Sequence, residues 1–331
     1  MIPNQWYVVL SSSQVRRSPI GVTRMGEKLV FWRDGSGRVA CAVDRCVHRG
    51  VQLSRGRVLD GGHLQCPFHG FEYDASGRVT RIPANGRETP VPERFRARAY
   101  PTHEAHGFIW IWWGTEAPED LTPPRFFQDL ADGFQYGQVI DPWETHYTRA
   151  IENQLDVVHL PFVHHNTIGR GNQTLVDGPV VQWLDADQMV FYVYNRVDDG
   201  TPPRRPHEIT VDPETDFHLG FIFPNLWQNY IADDVRVMAA FVPVDDAHTL
   251  IYFRFYQRFI KIRLLGKLVA QAAMPFNVRI AHQDRRVVQT QRPMRVSMTM
   301  GEKLIQGDRP VVAYRKRREA LLAEAGEVAA D

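Results

Sequence analysis

Apolar and polar positions alternate over short runs in the first third of the chain, and turn residues break the runs. Residues 6–10, 29–32, 39–43 and 107–113 are rich in β-branched and aromatic side chains and predict strands. Asp34-Gly35-Ser36-Gly37 and Asp74-Ala75-Ser76-Gly77 carry the Asp and Gly that hairpin turns favour. Residues 35–40 read GxGxxA, but they lie between two strands with no helix after them. They predict a hairpin, not a dinucleotide loop. From 116 to 124 proline and acid replace any period, which marks a boundary. Beyond it the pattern predicts a helix over 147–160, then strands at 180–184, 189–194, 217–223, 235–244 and 249–259. Residues 198–216, with several prolines and charges, predict a long mobile loop or a lid over a pocket. Residues 259–276 and 279–289 have helical character, and Lys261, Arg263 and Lys267 make the first of these mildly basic. A partly buried helix is expected there. The tail, 314–330, predicts a charged, alanine-rich helix, exposed or packed on a neighbour. The fold class is α+β: an all-β domain at 1–115, a linker at 116–142, and a second domain with an antiparallel sheet at 143–331.

Bulk properties narrow the function. A length of 331 residues suits two domains, each with its own core. A net charge of +1 gives no field for nucleic acid or an anionic membrane. The N-terminal residues do not read as a signal peptide, and no run of 18 apolar residues predicts a membrane span. Three cysteines are too few and too odd for a disulfide framework. They suit a cytoplasmic chain with thiols available to metal.

The thiols point to chemistry. Cys46-Val47-His48 is followed by Cys66-Pro67-Phe68-His69, so each half pairs one thiolate with one imidazole. Two thiolates on one iron and two imidazoles on the other form the ligand set of a Rieske [2Fe–2S] centre. Its neutral imidazoles raise the potential to roughly −150 mV or above. Gly50, Gly61-Gly62 and Gly70 flank the pairs and suit two facing loop tips. The alternative is a structural Cys₂His₂ zinc site, but its two histidines usually come together on one helix. Cys41 lies in an alternating strand and reads as a core residue.

A second polar cluster lies at 151–165, where Asn153, Asp156, His159, His164 and His165 sit among mostly apolar residues. Non-heme Fe(II) oxygenases bind their metal with two histidines and one carboxylate. Asp156 and His159, three apart, would share a helix face. His159 and His164, five apart, would lie about 140° apart on a regular helix. Pro161 lies between them and predicts a break or bulge there. Spacing alone leaves His164 and His165 both open.

Cys46-x-His48…Cys66-x-x-His69, with Arg49-Gly50 and Gly70 beside it, resembles the Rieske domain of the Rieske non-heme iron oxygenases. Glu152 to His164 resembles their catalytic signature, Asp-x-x-His-x-x-x-x-His preceded by Glu-Asn. The likeness covers most of the chain. It is greatest to short members with a single α-type subunit: vanillate O-demethylase-like, dicamba monooxygenase-like and saxitoxin-type hydroxylase-like enzymes. The resemblance implies a helix-grip (START/Bet v1-like) second domain. It implies His164 rather than His165 as the second iron ligand, leaving His165 to pack or to act behind the ligands. It implies Asp284, on the late helix, as the third ligand, ahead of the turn residues Asp233, Asp234, Asp245 and Asp246. Asp156 matches the family's bridging aspartate between His159 and a Rieske histidine, His48 or His69, of the next subunit in a homotrimer. Asn153 is expected to face the iron.

The implied activity is O₂-dependent hydroxylation or oxidative demethylation of an aromatic or polycyclic molecule, with cis-dihydroxylation as the alternative. No flavin or nicotinamide motif is evident, so a separate ferredoxin or NAD(P)H reductase would supply electrons. Phe217, Phe221 and Phe223 are candidate pocket walls, and Asn225, Gln228 and Asn229 candidate polar anchors. An electron carrier without mononuclear iron, or a zinc-containing binding module, are the rival classes.

Overall fold

The computed structural model describes residues 1–114, 124–130 and 133–326. The boundary at 116–123 and the tail beyond Gly326 lie outside the described residues. The chain forms two compact units, one mainly Pro3–Pro124, the other mainly Arg125–Val242 and Asp246–Asp331. Among the described residues no helix is long and apolar enough to cross a membrane.

The first unit is all-β. Gln5–Ser11, Phe108–Trp113 and Thr102–Ala105 form one sheet, and Ile20–Arg24, Glu27–Arg33, Val39–Val43 and Ala99–Tyr100 form another. The GxGxxA stretch is the hairpin joining Glu27–Arg33 to Val39–Val43. Asp34 Oδ1 accepts from the Ser36 and Arg38 amides, and Asp74 Oδ1 does the same for Ser76 and Arg78. Cys41 is fully buried in the core with Phe31, Tyr7 and Ile111, and burial pushes its thiol up. A third sheet, of strands two or three residues long between Arg57 and Arg81, is too short to leave a period in the sequence.

The second unit is built on a seven-stranded sheet. Its strands are β1 (Gln135–Trp143), β2 (Leu175–Trp183), β3 (Gln188–Arg196), β4 (His218–Ile222), β5 (Leu226–Ala232), β6 (Val235–Pro243) and β7 (Thr249–Gln257). Their order is β1-β7-β6-β5-β4-β3-β2: an antiparallel meander through β2 to β6, with β1 antiparallel on β7. The helices are α1 (Tyr147–Leu155), α2 (Leu160–Val163), α3 (Arg263–Ala272), α4 (Met274–Val288) and α5 (Arg309–Glu324).

Several expectations change here. Residues 135–142, read as linker, are strand β1. Pro142 is tolerated because β1 is an edge strand, where one ladder donor can be spared. Helix α3 is partly buried, as expected, with most of its surface exposed. It meets β1 through Gly266 and Ala270, and a Cβ on Gly137 would sit 2.5 Å from the Ala270 backbone. The tail helix α5 packs within its own chain: Tyr314 stacks on Phe223 at 5.4 Å, and Leu321 and Leu322 are buried. Arg315 grips Glu152 of α1 through two contacts of 2.6 and 2.7 Å and Glu302 at 2.6 Å, while Arg149 reaches Glu302 at 2.8 Å. Buried charges persist only when paired in this way.

The loop after β3 is no free lid. Buried Asp177 accepts from Arg204 N at 2.8 Å, Arg204 Nε at 2.9 Å and Arg196 Nε at 3.1 Å. Gln306 donates to the Arg204 carbonyl at 2.8 Å.

Candidate metal centres and substrate cavity

In the first unit the two Cys/His loops share one geometry. The Cys46 amide donates to Val51 O and the Gly50 amide to Cys46 O. The Cys66 amide donates to Phe71 O and the Gly70 amide to Cys66 O. Gly50 and Gly70 take φ of +73° and +70°, a turn that L side chains rarely adopt. Each loop therefore buries its cysteine and exposes its histidine. The His48 and His69 rings lie 4.7 Å apart, and His48 stacks on Phe71 at 4.9 Å. Tyr73 Oη donates to Cys46 Sγ at 3.1 Å and accepts from the Val47 amide at 3.1 Å. Burial first, then the Cys46 sulfur, raises the Tyr73 hydroxyl pKa, which keeps it a donor. Burial also raises the Cys66 thiol, against the Phe68 and His69 amides that favour its thiolate.

A single tetrahedral zinc would draw all four ligand atoms to one point. Among the described residues the group that closes within 4.8 Å is another one: His159, His164 and Asp284. Two buried thiols and two exposed imidazoles that do not share one centre fit two metal ions, as in a [2Fe–2S] cluster with two histidines on its outer iron.

In the second unit the chain breaks earlier than Pro161. Helix α1 ends at Leu155, and Asp156 caps it in extended geometry at φ −75°, ψ 128°. Asp156 Oδ1 then accepts from the amides of Val158 at 2.6 Å and His159 at 3.3 Å, an Asx turn that redirects the chain. Pro161 lies in the first turn of α2, where its missing N–H costs nothing. The main break thus lies between Asp156 and His159, and the two histidines then flank the single turn of α2, their ring centroids 5.2 Å apart. His159 Nδ1 is 3.7 Å from Asp156 Oδ2, beyond a good hydrogen bond. Burial opposes ionisation of Asp156, but His159 and the two amides outweigh it and hold its pKa below the usual carboxylate value.

Asp284 comes from α4, where Asn277, Ile280, Ala281 and Asp284 follow helical spacing on one face. Its Oδ1 lies 2.9 Å from His164 Nε2 and 3.4 Å from His159 Nε2. Yet this buried oxygen has no aligned hydrogen-bond donor. A carboxylate and two imidazoles 97% or so buried at the first and facing one shared point suit a cation, and two histidines with one carboxylate form the donor set of non-heme Fe(II). Burial would lower the His164 pKa, but the Asp284 carboxylate and Gln283 raise it overall, so a proton is favoured where an ion would sit.

Behind His164, Nδ1 meets Gln283 Oε1 at 2.9 Å. Thr167 Oγ1 donates to the same oxygen at 2.7 Å, and Gln283 Nε2 donates to Asn166 Oδ1 at 2.7 Å. His165 is exposed, with Nδ1 3.0 Å from Phe162 O, and takes no part in this network. Asp233 accepts from Tyr230, and Asp234 pairs with Arg258.

A cavity of about 170 Å³ opens beside Asp284 and the two histidines. Val157, Leu160, Val193, Leu219, Val237 and Phe253 make it apolar, and Gln154, Trp227, Asn229 and Asn277 add polar groups. Of the predicted walls Phe217 lines it, while Phe221 and Phe223 pack on Tyr314 instead. Of the predicted anchors Asn229 lines it. Asn225 Nδ2 donates to Phe241 O, and Gln228 Nε2 donates to Asp129. Gln154 occupies the wall; Asn153 is not part of it, and its carboxamide nitrogen is buried without a partner. Gln283, Trp227, Gln154 and Tyr73 were not singled out from sequence. Only Gln283 had a signal, its place beside a candidate ligand.

Comparison with known proteins agrees with this layout. Residues 5–101 match the Rieske [2Fe-2S] domain, and residues 143–324, over half the chain, match the vanillate O-demethylase oxygenase C-terminal domain. A chloroplastic chlorophyllide a oxygenase of Chlamydomonas reinhardtii is 34% identical over 170 residues, 51% of this chain and 25% of that protein. The vanillate O-demethylase oxygenase subunit of a Pseudomonas species is 32% identical over 195 residues, 58% of this chain and 52% of that protein. The match thus spans about half or less of these relatives' length. The structure of NdmA from Pseudomonas putida CBB5 superposes with a TM-score of 0.77 at 22% identity, covering 98% of this chain and 92% of that one. It shares the fold.

Proposed function

The chain belongs to the Rieske oxygenase family that carries the vanillate O-demethylase C-terminal domain, and on that premise we propose that it is the oxygenase component of a multi-protein system. Its reaction is O₂-dependent hydroxylation or oxidative demethylation of a small aromatic molecule. The observation that carries this reading is the buried Asp284 Oδ1, 2.9 Å from His164 Nε2 and 3.4 Å from His159 Nε2, at the edge of an apolar cavity.

Cys46, Cys66, His48 and His69 would hold the cluster, and His159, His164 and Asp284 the single iron. Bound there, iron supplies one-electron transfer and O₂ chemistry. The protein's own part is orientation and exclusion of water. Gln283 fixes the His164 ring so that Nε2 faces the metal. The Asx turn at Asp156 fixes where His159 begins. The apolar walls keep bulk water from the reacting carbon. Electrons come from a separate ferredoxin or NAD(P)H reductase. A cytoplasmic setting suits a chain whose three cysteines form no disulfide, two of them reserved for the cluster. We propose a homotrimer in which the part-exposed Asp156 carboxylate of one copy meets the exposed His48 or His69 of the next; the exposure of these groups is compatible with such a contact and does not by itself set the number of subunits.

Purified holoprotein should contain about three irons and about two acid-labile sulfides per chain. Under ¹⁸O₂ with a reductase, hydroxylation should leave one labelled oxygen in the product, whereas demethylation should place it in the released formaldehyde, trapped before exchange with water, and none in the phenol. Zinc without sulfide, or turnover with NADH by the chain alone, would overturn the reading.

A further inference from the structure

Strand positions two apart share a face, so Trp227, Asn229 and Ile231 of β5 all line the cavity. Trp227 is only 5% exposed, and its Nε1–H, a donor only, has no acceptor among the described residues. Asn229 Oδ1 is also buried and has no donor. A buried donor and a buried acceptor left unpaired are costly. Here both belong to residues on one face of one strand that line the same cavity. The partners that would satisfy them are groups on a bound molecule.

Charge and size restrict that molecule further. No lysine or arginine lines the cavity, and its formal charges are the carboxylates of Asp156 and Asp284. A desolvated carboxylate or sulfonate would have no cationic side chain to pair with in the cavity wall. The volume, about 170 Å³, is close to the roughly 150 Å³ that holds one benzene.

We propose that the substrate is a neutral molecule of one small ring, carrying an acceptor for Trp227 Nε1–H and a donor for Asn229 Oδ1, as an aryl amide or a phenol does. Aryl carboxylates and fused-ring substrates are excluded. This rests on the oxygenase reading for the identity of the cavity as a substrate site, and its test is separable from that reading.

Anaerobic calorimetry on the iron-loaded full chain at pH 7.5 compares 3-methoxybenzamide, 3-methoxybenzoate and 6-methoxy-2-naphthamide. The benzamide should bind at least tenfold more tightly than either of the others. Trp227→Phe should weaken the benzamide about five- to thirtyfold, and Asn229→Leu should do the same. Benzoate or naphthamide binding as tightly as the benzamide overturns the proposal. So does an unchanged benzamide affinity in Trp227→Phe, or a benzamide that does not bind at all. The comparison among ligands needs no variant, so a misfolded variant does not blunt it. If the benzamide is selected but no reductase supports O₂-dependent turnover, the oxygenase reading fails and the pocket assignment stands. If the benzoate is preferred and oxidised, the reverse holds.

Discussion

Gln283 sits next in sequence to Asp284, and on a helix adjacent residues point about 100° apart. That angle lets one residue face the cavity while its neighbour reaches behind His164. Gln283 Oε1 meets His164 Nδ1 at 2.9 Å and is itself held by Thr167 Oγ1 at 2.7 Å, so the ring has one preferred orientation and Nδ1–H one tautomer. Replacing Gln283 by Leu removes the acceptor and leaves that nitrogen buried and unpaired. The expected result is a roughly 10- to 100-fold weaker hold on the single iron, with the visible spectrum of the cluster unchanged. Titration with a competing chelator, monitored alongside absorbance, measures both. An unchanged iron affinity would show that Gln283 does not position the ring. The cysteines and histidines were readable in the sequence because metal ligation allows few residue types and their spacing is unusual. Gln283, Trp227 and Tyr73 were not, because glutamine, tryptophan and tyrosine serve many purposes. What marks them out is an unpaired atom or a partner distant in the chain.

At the level of elements the same contrast holds. Strands with one apolar face and helices with a run of apolar residues were evident, whereas β1 and β5 were not. In β5, Trp227, Asn229 and Ile231 face the cavity while Gln228 and Tyr230 face away, so both faces mix polar with apolar and the alternation disappears. A strand that lines a binding cavity loses the pattern that would announce it. The α1–α2 break at Asp156 is not legible in the sequence for a related reason. Proline drew the expectation to 161, while the redirecting group is the Asp156 side chain accepting from two amides.

The loop after β3 was read as mobile from composition, but Asp177 on β2 ties it down. Burial pushes the Asp177 pKa up, and the Arg204 amide and the Arg204 and Arg196 guanidiniums outweigh it, so the folded value lies below the ordinary one. The sign follows from that depression. The tie is fully present above the unfolded value of about 3.9 and is lost as pH falls through the lower folded value. Asp177→Asn should therefore speed amide exchange in residues 197–208 about tenfold at pH 7, after screening of the exposed guanidiniums is allowed for. Parent and variant should converge once the pH is below the folded value. Hydrogen exchange followed from pH 7 into acid reads the trend, and a difference that grows in acid would refute the assignment.

Each unit of the molecule buries its own apolar core and carries its own donor set. Cys46 and Cys66 are part of a core with Val30, Trp32, Leu53, Leu64, Phe71 and Tyr73. His159, His164 and Asp284 belong to elements of the sheet-and-helix unit. Ligands that fold together share their metal's binding energy with the unit they stabilise. Loss of one centre should accordingly leave the other intact. Cys66→Ala should remove the cluster, lower iron from about three to about one per chain, and shift the melting of the first unit alone. Asp284→Ala should leave about two irons and an unaltered visible spectrum, with the first unit melting as before. Iron analysis and calorimetric scans of the two variants test the pair together. Loss of both centres in either variant would mean that the two units fold as one.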